Sequence, residues 1–300
     1  MSLPLDRVTL LLQVQADLAR AGGGRPGGAY ANFFTCLVRV VEAEGRRGLW
    51  RGAGVLVVRT VGMAVAMALL RKPMKALVDW LLQSAPTDSP GKQLVGGAVA
   101  GTLSTAVSLT VVHPADTIFT LLAADLKEPR GPLGVMAYKY AGGLDALRTR
   151  VASEGALSLY RGLGWTLAGM VATQTVWFTV RYVRQRLAAA APPPPPEHQP
   201  DMYTIVAVSG GSRLAGCLAD SPLTVLSRRI TLSEARTGTY TGEVGTAAAI
   251  VRADGVASLW DGASLSASRI AFSMAITVLV RALHMKMMAI LENMNRQGGL

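Results

Sequence analysis

Five stretches of this chain run for eighteen or nineteen residues with at most one charge. Leu94–Val112 and Leu163–Val180 carry none, while Ala53–Leu70, Met202–Ala219 and Gly262–Val280 are each interrupted by a single arginine. Runs of about 18–20 apolar residues are long enough to cross the hydrocarbon core of a bilayer as helices. The pattern predicts five spanning helices and an integral membrane protein. Between them lie shorter amphipathic stretches and turn signals, which predict surface helices and loops.

The polar segments repeat. Glu44-Gly45-Arg46-Arg47-Gly48-Leu49-Trp50-Arg51-Gly52 matches Glu154-Gly155-Ala156-Leu157-Ser158-Leu159-Tyr160-Arg161-Gly162, and both match Asp254-Gly255-Val256-Ala257-Ser258-Leu259-Trp260-Asp261-Gly262. Upstream, Pro4, Pro114 and Pro222 are followed by LDRVT, ADTIF and LTVLS. Between proline and aromatic, Tyr140-Ala141-Gly142 and Tyr240-Thr241-Gly242 open amphipathic stretches, with Tyr30 in a weaker first copy. Three elements in one order, three times, define three units. We place them at 1–85, 91–190 and 201–295, with a proline-rich linker, APPPPPEHQP, over 191–200. Five consecutive prolines favour an extended polyproline segment, read as a spacer rather than a docking peptide. Gly22–Gly28 reads as a flexible turn. Each unit is expected to hold a spanning helix ending at its proline, a short surface helix, the aromatic-x-glycine turn and a second spanning helix.

Composition narrows the function classes. The chain is 50% hydrophobic and only 16% charged, and its net charge of +11 falls in the connecting segments. That balance suits anionic lipid headgroups, and no arginine-rich run or RNA-binding module points to nucleic acid. Cys36 and Cys217 form no disulfide framework and no metal spacing. No nucleophile constellation suggests an enzyme, no cofactor is expected, and no signal or transit peptide is read at the start.

The three-fold pattern, with a proline motif at the end of each odd helix, resembles the mitochondrial carrier family over essentially the whole chain. PLDRVTLLLQVQ is most similar to the ADP/ATP carriers. The resemblance implies an all-α, three-fold pseudosymmetric membrane bundle with three short matrix helices, in the inner mitochondrial membrane, with both termini in the intermembrane space. It also implies two ion-pair rings. In the matrix ring the acidic places hold Asp6, Asp116 and Thr224, and the basic places Thr9, Phe119 and Ser227. Every designated cation is absent. Arg7, Arg228 and Arg229 lie nearby, but their spacing points them to other helix faces, and Gln13 stands where a bracing glutamine is expected. In the outer ring the acid places hold Lys72, Tyr182 and Arg281, and the basic places Lys75, Gln185 and His284, so no acid is present. Pro73 is expected to interrupt the second helix.

The substrate contact points fall nine residues after each aromatic, at Arg59, Gly169 with Met170, and Arg269. This triplet resembles that of the nucleotide carriers, and guanidinium groups suit phosphates. The same two arginines are equally suited to pair with the orphaned Asp6 and Asp116, or with a group outside the chain. Cardiolipin is the implied lipid. Its expected sites are the helix starts at Trp50-Arg51-Gly52, Tyr160-Arg161-Gly162 and Trp260/Gly262, with Tyr140/Gly142 and Tyr240/Gly242 opposite them.

Three residues precede Pro4. They cover about 4.5 Å against the roughly 30 Å of hydrocarbon, so the first spanning helix is expected to be truncated. The gap it leaves is expected to be an interface with other inner-membrane subunits. Two readings of function stand at this point. One is a non-transporting, structural accessory subunit of an inner-membrane complex such as a respiratory complex or ATP synthase. The other is a working ADP/ATP-type or other anion transporter.

Overall fold

A computed structural model describes residues 3–20, 33–82, 90–130, 135–190, 202–237 and 242–297. Pieces of the first unit are α1 (Leu3–Gln13), α2 (Gln15–Arg20), α3 (Phe33–Glu44) and α4 (Ala53–Leu81). The second contributes α5 (Pro90–Ala124), α6 (Gly143–Glu154) and α7 (Leu163–Ala190). α8 (Met202–Thr237), α9 (Glu243–Asp254) and α10 (Ala263–Gln297) complete the third. Hydrogen bonds from Val14 N–H to Leu10 and from Leu18 N–H to Val14 carry the helical ladder from α1 into α2.

Each unit turns the same way. α3, α6 and α9 end at Gly45, Gly155 and Gly255, with φ of 79, 80 and 77°. A single 3-10 turn follows, and Gly52, Gly162 and Gly262, with φ of 84, 81 and 81°, start the next long helix. Positive φ is open to glycine at no steric cost, so the repeated glycines are the hinge points of a repeated backbone. The motif found in the sequence is thus a shared corner.

Two expectations about prolines do not hold. α5 and α8 run through Pro114 and Pro222 to Ala124 and Thr237, and α4 runs through Pro73 to Leu81. Proline removes one backbone donor, which a helix packed in a bundle tolerates. A two-stranded antiparallel ribbon, β1 (Glu128–Arg130) and β2 (Val135–Ala137), was also not foreseen. Among the described residues, three long segments, Arg46–Leu81, Val95–Ala124 and Val256–Met288, are long and apolar enough to cross a membrane, against five expected. α7 and α8 have the length, at 28 and 36 residues. However, Thr166, Thr173, Gln174, Thr175 and Thr179 dilute the uncharged run of α7, and Ser209, Ser212 and Arg213 that of α8. Gly22–Gly28, Tyr30, the linker 191–200 and Tyr240 lie outside the described residues.

The long helices pack as neighbours, α4 on α5, α5 on α7, α7 on α8 and α8 on α10, while α1 packs against α3, α5 and α8. The core sits at the end that carries the short helices. There Val8, Leu10 and Leu11 of α1, with Val14 just after it, meet Cys36 and Val40 of α3 and the Ile118–Ala124 end of α5, all buried. Val225, Leu226 and Ile230 of α8 form a second cluster with Ala247, Ile250 and Leu259. Toward the opposite end the helices show apolar side chains to their surroundings, such as Leu69, Leu187, Phe272 and Leu283. The molecule is closed at one end and open at the other.

Candidate functional site

The closed end leads upward to a charged, hydroxyl-rich cavity of about 160 Å³, lined by residues of α1, α8 and α10 that include Asp6, Thr9, Gln13, Asp220, Ser221, Thr224, Arg228, Ser266 and Arg269. Asp6 in its wall is held by Arg269, and a second pair of the same kind lies outside the lining. Arg269 Nη1 lies 2.5 Å from Asp6 Oδ1, and Arg59 Nε lies 2.7 Å from Asp116 Oδ1. Two of the three contact positions therefore hold guanidinium groups bound to the two motif aspartates. Both pairs join an odd helix of one unit to the even helix of the preceding one: α1 to α10, and α5 to α4.

The third pair of positions obeys the same relation with different chemistry. Asp220 of α8 places Oδ1 against Gly169 of α7, the third contact position, which offers no side chain. Its Oδ2 accepts a hydrogen bond of 2.9 Å from Thr224, the residue at the motif's acid place. Asp220 is four residues before Thr224, so the carboxylate has moved one turn up the same helix face. Arg228 corrects the sequence reading: it faces this cavity, donates to Gln13 Oε1, and lies within electrostatic range of Asp116, Asp6 and Asp220. Gln13 braces a guanidinium after all, though one residue along from the expected place. Three carboxylates and three guanidiniums thus face one another, and the sequence motif names only two of the six. Met170, beside Gly169, is half-buried.

The vacated cation places have become packing positions. Phe119 is 4% exposed, and its Cδ2 lies 3.2 Å from where a Cβ at Gly52 would stand. Ser227 donates to the Gly162 carbonyl at 2.9 Å and meets the Thr166 hydroxyl at 2.7 Å. The Thr9 carbonyl oxygen lies 3.5 Å from a Cβ position on Gly262, and its hydroxyl bonds back to Leu5. Each of the three sits on the glycine that starts an even helix of the preceding unit. They hold the helices together by shape where charge was expected.

Below this level a second set of pairs joins the short helices to the bundle. Arg7, buried, reaches Glu44 Oε2 at 2.6 Å and the carbonyls of Ala123 and Asp125. Arg150 and Arg161 both lie 2.8 Å from Glu154, and Arg229 lies 2.7 Å from Asp254. The acids are the residues before Gly45, Gly155 and Gly255, so the repeat displayed them. Arg150 stands one turn before Glu154 on α6, a spacing the sequence displays, whereas Arg7 and Arg229 come from places that no repeat spacing announces. Tyr138 donates to Glu44 at 3.0 Å, and burial together with that carboxylate pushes its phenol up to about 12.

At the expected lipid sites the protein supplies its own partners. Arg51 bonds Asp125 at 2.5 Å and the Tyr140 carbonyl at 2.6 Å, and lies over the Tyr138 ring at 3.6 Å. Tyr140 is buried and donates its N–H to Asp125. Arg161 is engaged with Glu154. At the start of α7, the Gly162 N–H donates to Glu243 Oε1 at 3.0 Å, so a carboxylate from α9 already holds that helix end. The corresponding residue facing α4 is Gly143, which has no side chain to offer. Trp50, Tyr160 and Trp260 are 54, 38 and 43% exposed, and Gly142 precedes α6 in extended backbone.

At the open end, Lys72, Lys75, Gln185, Arg281 and His284 are exposed, and no ion pair joins them among the described residues. Tyr182 accepts a 2.9 Å hydrogen bond from Arg186, one turn along its own helix. The places of an outer gate carry cations and neutral groups.

Comparison with known proteins agrees with this architecture. The family model for mitochondrial carrier protein matches residues 1–79 and 90–189. The chain is 27% identical over 266 residues to an ADP/ATP translocase of Thermothelomyces thermophilus, covering 89% of this chain and 80% of that protein. It is 26% identical over 266 residues to the ADP,ATP carrier protein of Neurospora crassa, covering 89% and 81%. It is also 28% identical over 305 residues to that organism's mitochondrial thiamine pyrophosphate carrier 1, covering 92% and 83%. Members of this family are transporters rather than enzymes, and their fold is an all-α membrane bundle. The repeated corner, the odd–even pairing of charges and these matches lead to one conclusion: the chain belongs to the mitochondrial carrier family.

Proposed function

We propose that this protein is a non-transporting member of its family, held closed at the short-helix end. In this reading it serves as a structural subunit of an inner-membrane complex, such as a respiratory complex or ATP synthase. The observation that carries the reading is the pinning of Arg59 by Asp116 and of Arg269 by Asp6. Transport by alternating access needs two closed states of comparable free energy, exchanged by differential binding of the substrate. Here the guanidiniums that would meet an anion already hold one end shut. The outer-ring places hold Lys72, Lys75 and Arg281 and no acid, and like charges cannot lock them together. The protein then rests in one state, with the short helices on the matrix side. The exposed apolar faces of α4 and α10, with Val58, Leu69, Phe272 and Leu279, offer surface to cardiolipin-containing lipid and to neighbouring subunits.

The test is exchange in reconstituted vesicles loaded with ATP, beside migration in mild detergent. We expect no ADP/ATP exchange above protein-free vesicles, and recovery from native membranes in an assembly well above the 31.5 kDa monomer. Exchange that saturates with substrate overturns the reading.

One observation favours a second reading, an anion transporter. Arg59 and Arg269 are 37 and 36% exposed. Pairs that meet water are weak, about 0–1 kcal/mol, and a phosphate can displace the carboxylates. Similarity to ADP/ATP carriers supports the same class.

A further inference from the structure

Nine residues after the motif prolines stand Gln13, Ala123 and Thr231. Their side chains share nothing, yet the backbone carbonyl of each accepts a bond from a buried arginine. Arg7 Nε donates to Ala123 at 3.1 Å, Arg150 Nη2 to Thr231 at 3.4 Å, and Arg229 Nε to Gln13 at 3.2 Å. Each arginine also holds the acid before the corner glycine of its own unit: Arg7 with Glu44, Arg150 with Glu154, and Arg229 with Asp254. Each therefore ties the short-helix corner of one unit to the odd helix of the next. The ties run from the first unit to the second, the second to the third and the third to the first. They form a closed cycle.

No single repeat position supplies the three guanidiniums. Arg229 stands seven residues after Pro222, where the other two units hold Leu11 and Leu121 in the core. The first unit brings its arginine from one turn earlier on α1, and the second from the short helix α6. Three different places in the repeat thus deliver the same group to the same pair of partners. A buried guanidinium is costly unless a carboxylate and further acceptors meet it. All three meet both.

We infer that Arg7, Arg150 and Arg229 form a cyclic interlock that fastens each unit to its neighbour at the closed end. In each tie the carboxylate orients the guanidinium, and the neighbouring unit's carbonyl takes a further N–H. Opening this end would part the three short-helix corners from the adjoining odd helices. Each buried guanidinium would then lose an acceptor, and because the ties form a ring, all three would be loaded together. The interlock deepens the closed-end reading, while its own geometry holds whether or not the protein transports.

The experiment measures distances between pairs of spin labels by pulsed electron resonance, on the full-length protein in lipid nanodiscs. Labels are carried by Phe34→Cys, Leu144→Cys and Val244→Cys, exposed places at the start of α3, α6 and α9, with Cys36 and Cys217 replaced by serine. With the interlock intact, each pair gives a narrow distance distribution. Arg7→Met with Glu44→Gln removes the first tie, leaves no orphaned charge and keeps an acceptor for Tyr138. It at least doubles the width of the 34–144 distribution and leaves 144–244 unchanged. Arg150→Met, which leaves Glu154 its bond to Arg161, does the reverse. Each variant tests its own seam, so one suffices if the other does not fold. Equal widening at every seam, or no widening at the seam addressed, overturns the interlock. ADP/ATP exchange in vesicles would remove the non-transporting reading and leave the seam-specific widening standing.

Discussion

The two ends of this molecule treat charge in opposite ways. At the short-helix end the acids at 44, 154 and 254 each meet at least one arginine, and above them the carboxylates of Asp6 and Asp116 meet two more. At the open end Lys72, Lys75 and Arg281 are exposed and form no ion pair among the described residues. One end meets its buried arginines with carboxylates and backbone acceptors. The other relies on solvent to hold its charges apart. An ion pair out of water is strong only when desolvation is repaid by geometry and extra hydrogen bonds. That geometry is concentrated where the short helices meet the bundle.

The largest expected effect comes from the most buried pair. Glu44→Ala leaves Arg7, 1% exposed at its side chain, without its carboxylate and strips Tyr138 of its acceptor. We expect a loss of about 3–5 kcal/mol, read as a lowered unfolding midpoint in detergent. A loss under 1 kcal/mol would break the contrast between the ends. Next comes the cavity level. Asp116→Asn with Asp6→Asn frees Arg59 and Arg269, and each change costs about 0–1 kcal/mol because the pairs are partly solvated. The freed guanidiniums then bind anions, so the stabilisation given by added ATP rises, measured as a thermal shift against ATP concentration. No gain in ATP response would show that the arginines are not held by those aspartates.

A smaller effect is expected at the rim. Lys72→Glu places an acid in a field of cations, and stability changes by no more than about 0.5 kcal/mol, with the difference disappearing at high salt. The smallest concerns Tyr138. Its folded pKa, about 12, stands above the unfolded value of 10. Its contribution is therefore complete below pH 10 and is lost as pH rises toward 12. Tyr138→Phe should flatten that alkaline decline in unfolding midpoint and leave the midpoint at neutral pH within a few degrees. A slope unchanged by the substitution would place the alkaline sensitivity elsewhere.

The repeat made most of the fold legible. Glycines at 45, 155 and 255 and at 52, 162 and 262 mark corners that the backbone takes with nearly the same angles. Long uncharged runs mark the spans, although the prolines inside α4, α5 and α8 stop nothing once neighbouring helices hold the chain. The candidate site was legible only in halves. Asp6 and Asp116 stand in a motif, and Arg59 and Arg269 stand nine residues past an aromatic, but their pairing joins different units. Asp220 escaped because it sits one turn above its motif place. Arg228 escaped because a helix turns about 100° per residue, yet its long side chain reaches back to Gln13 from the neighbouring position. The lipid motifs read correctly as helix starts, but not as vacant ones, because Glu243 comes from the start of α9 and Asp125 from the loop after α5, and no local pattern declares either contact.

Phe119 and Ser227, seated on Gly52 and Gly162, limit what their positions can now hold. A lysine at position 119 would bring its ammonium to the packed start of α4, with the carboxylate of Asp116 already claimed by Arg59. Phe119→Lys should accordingly destabilise this protein by more than Phe119→Ala.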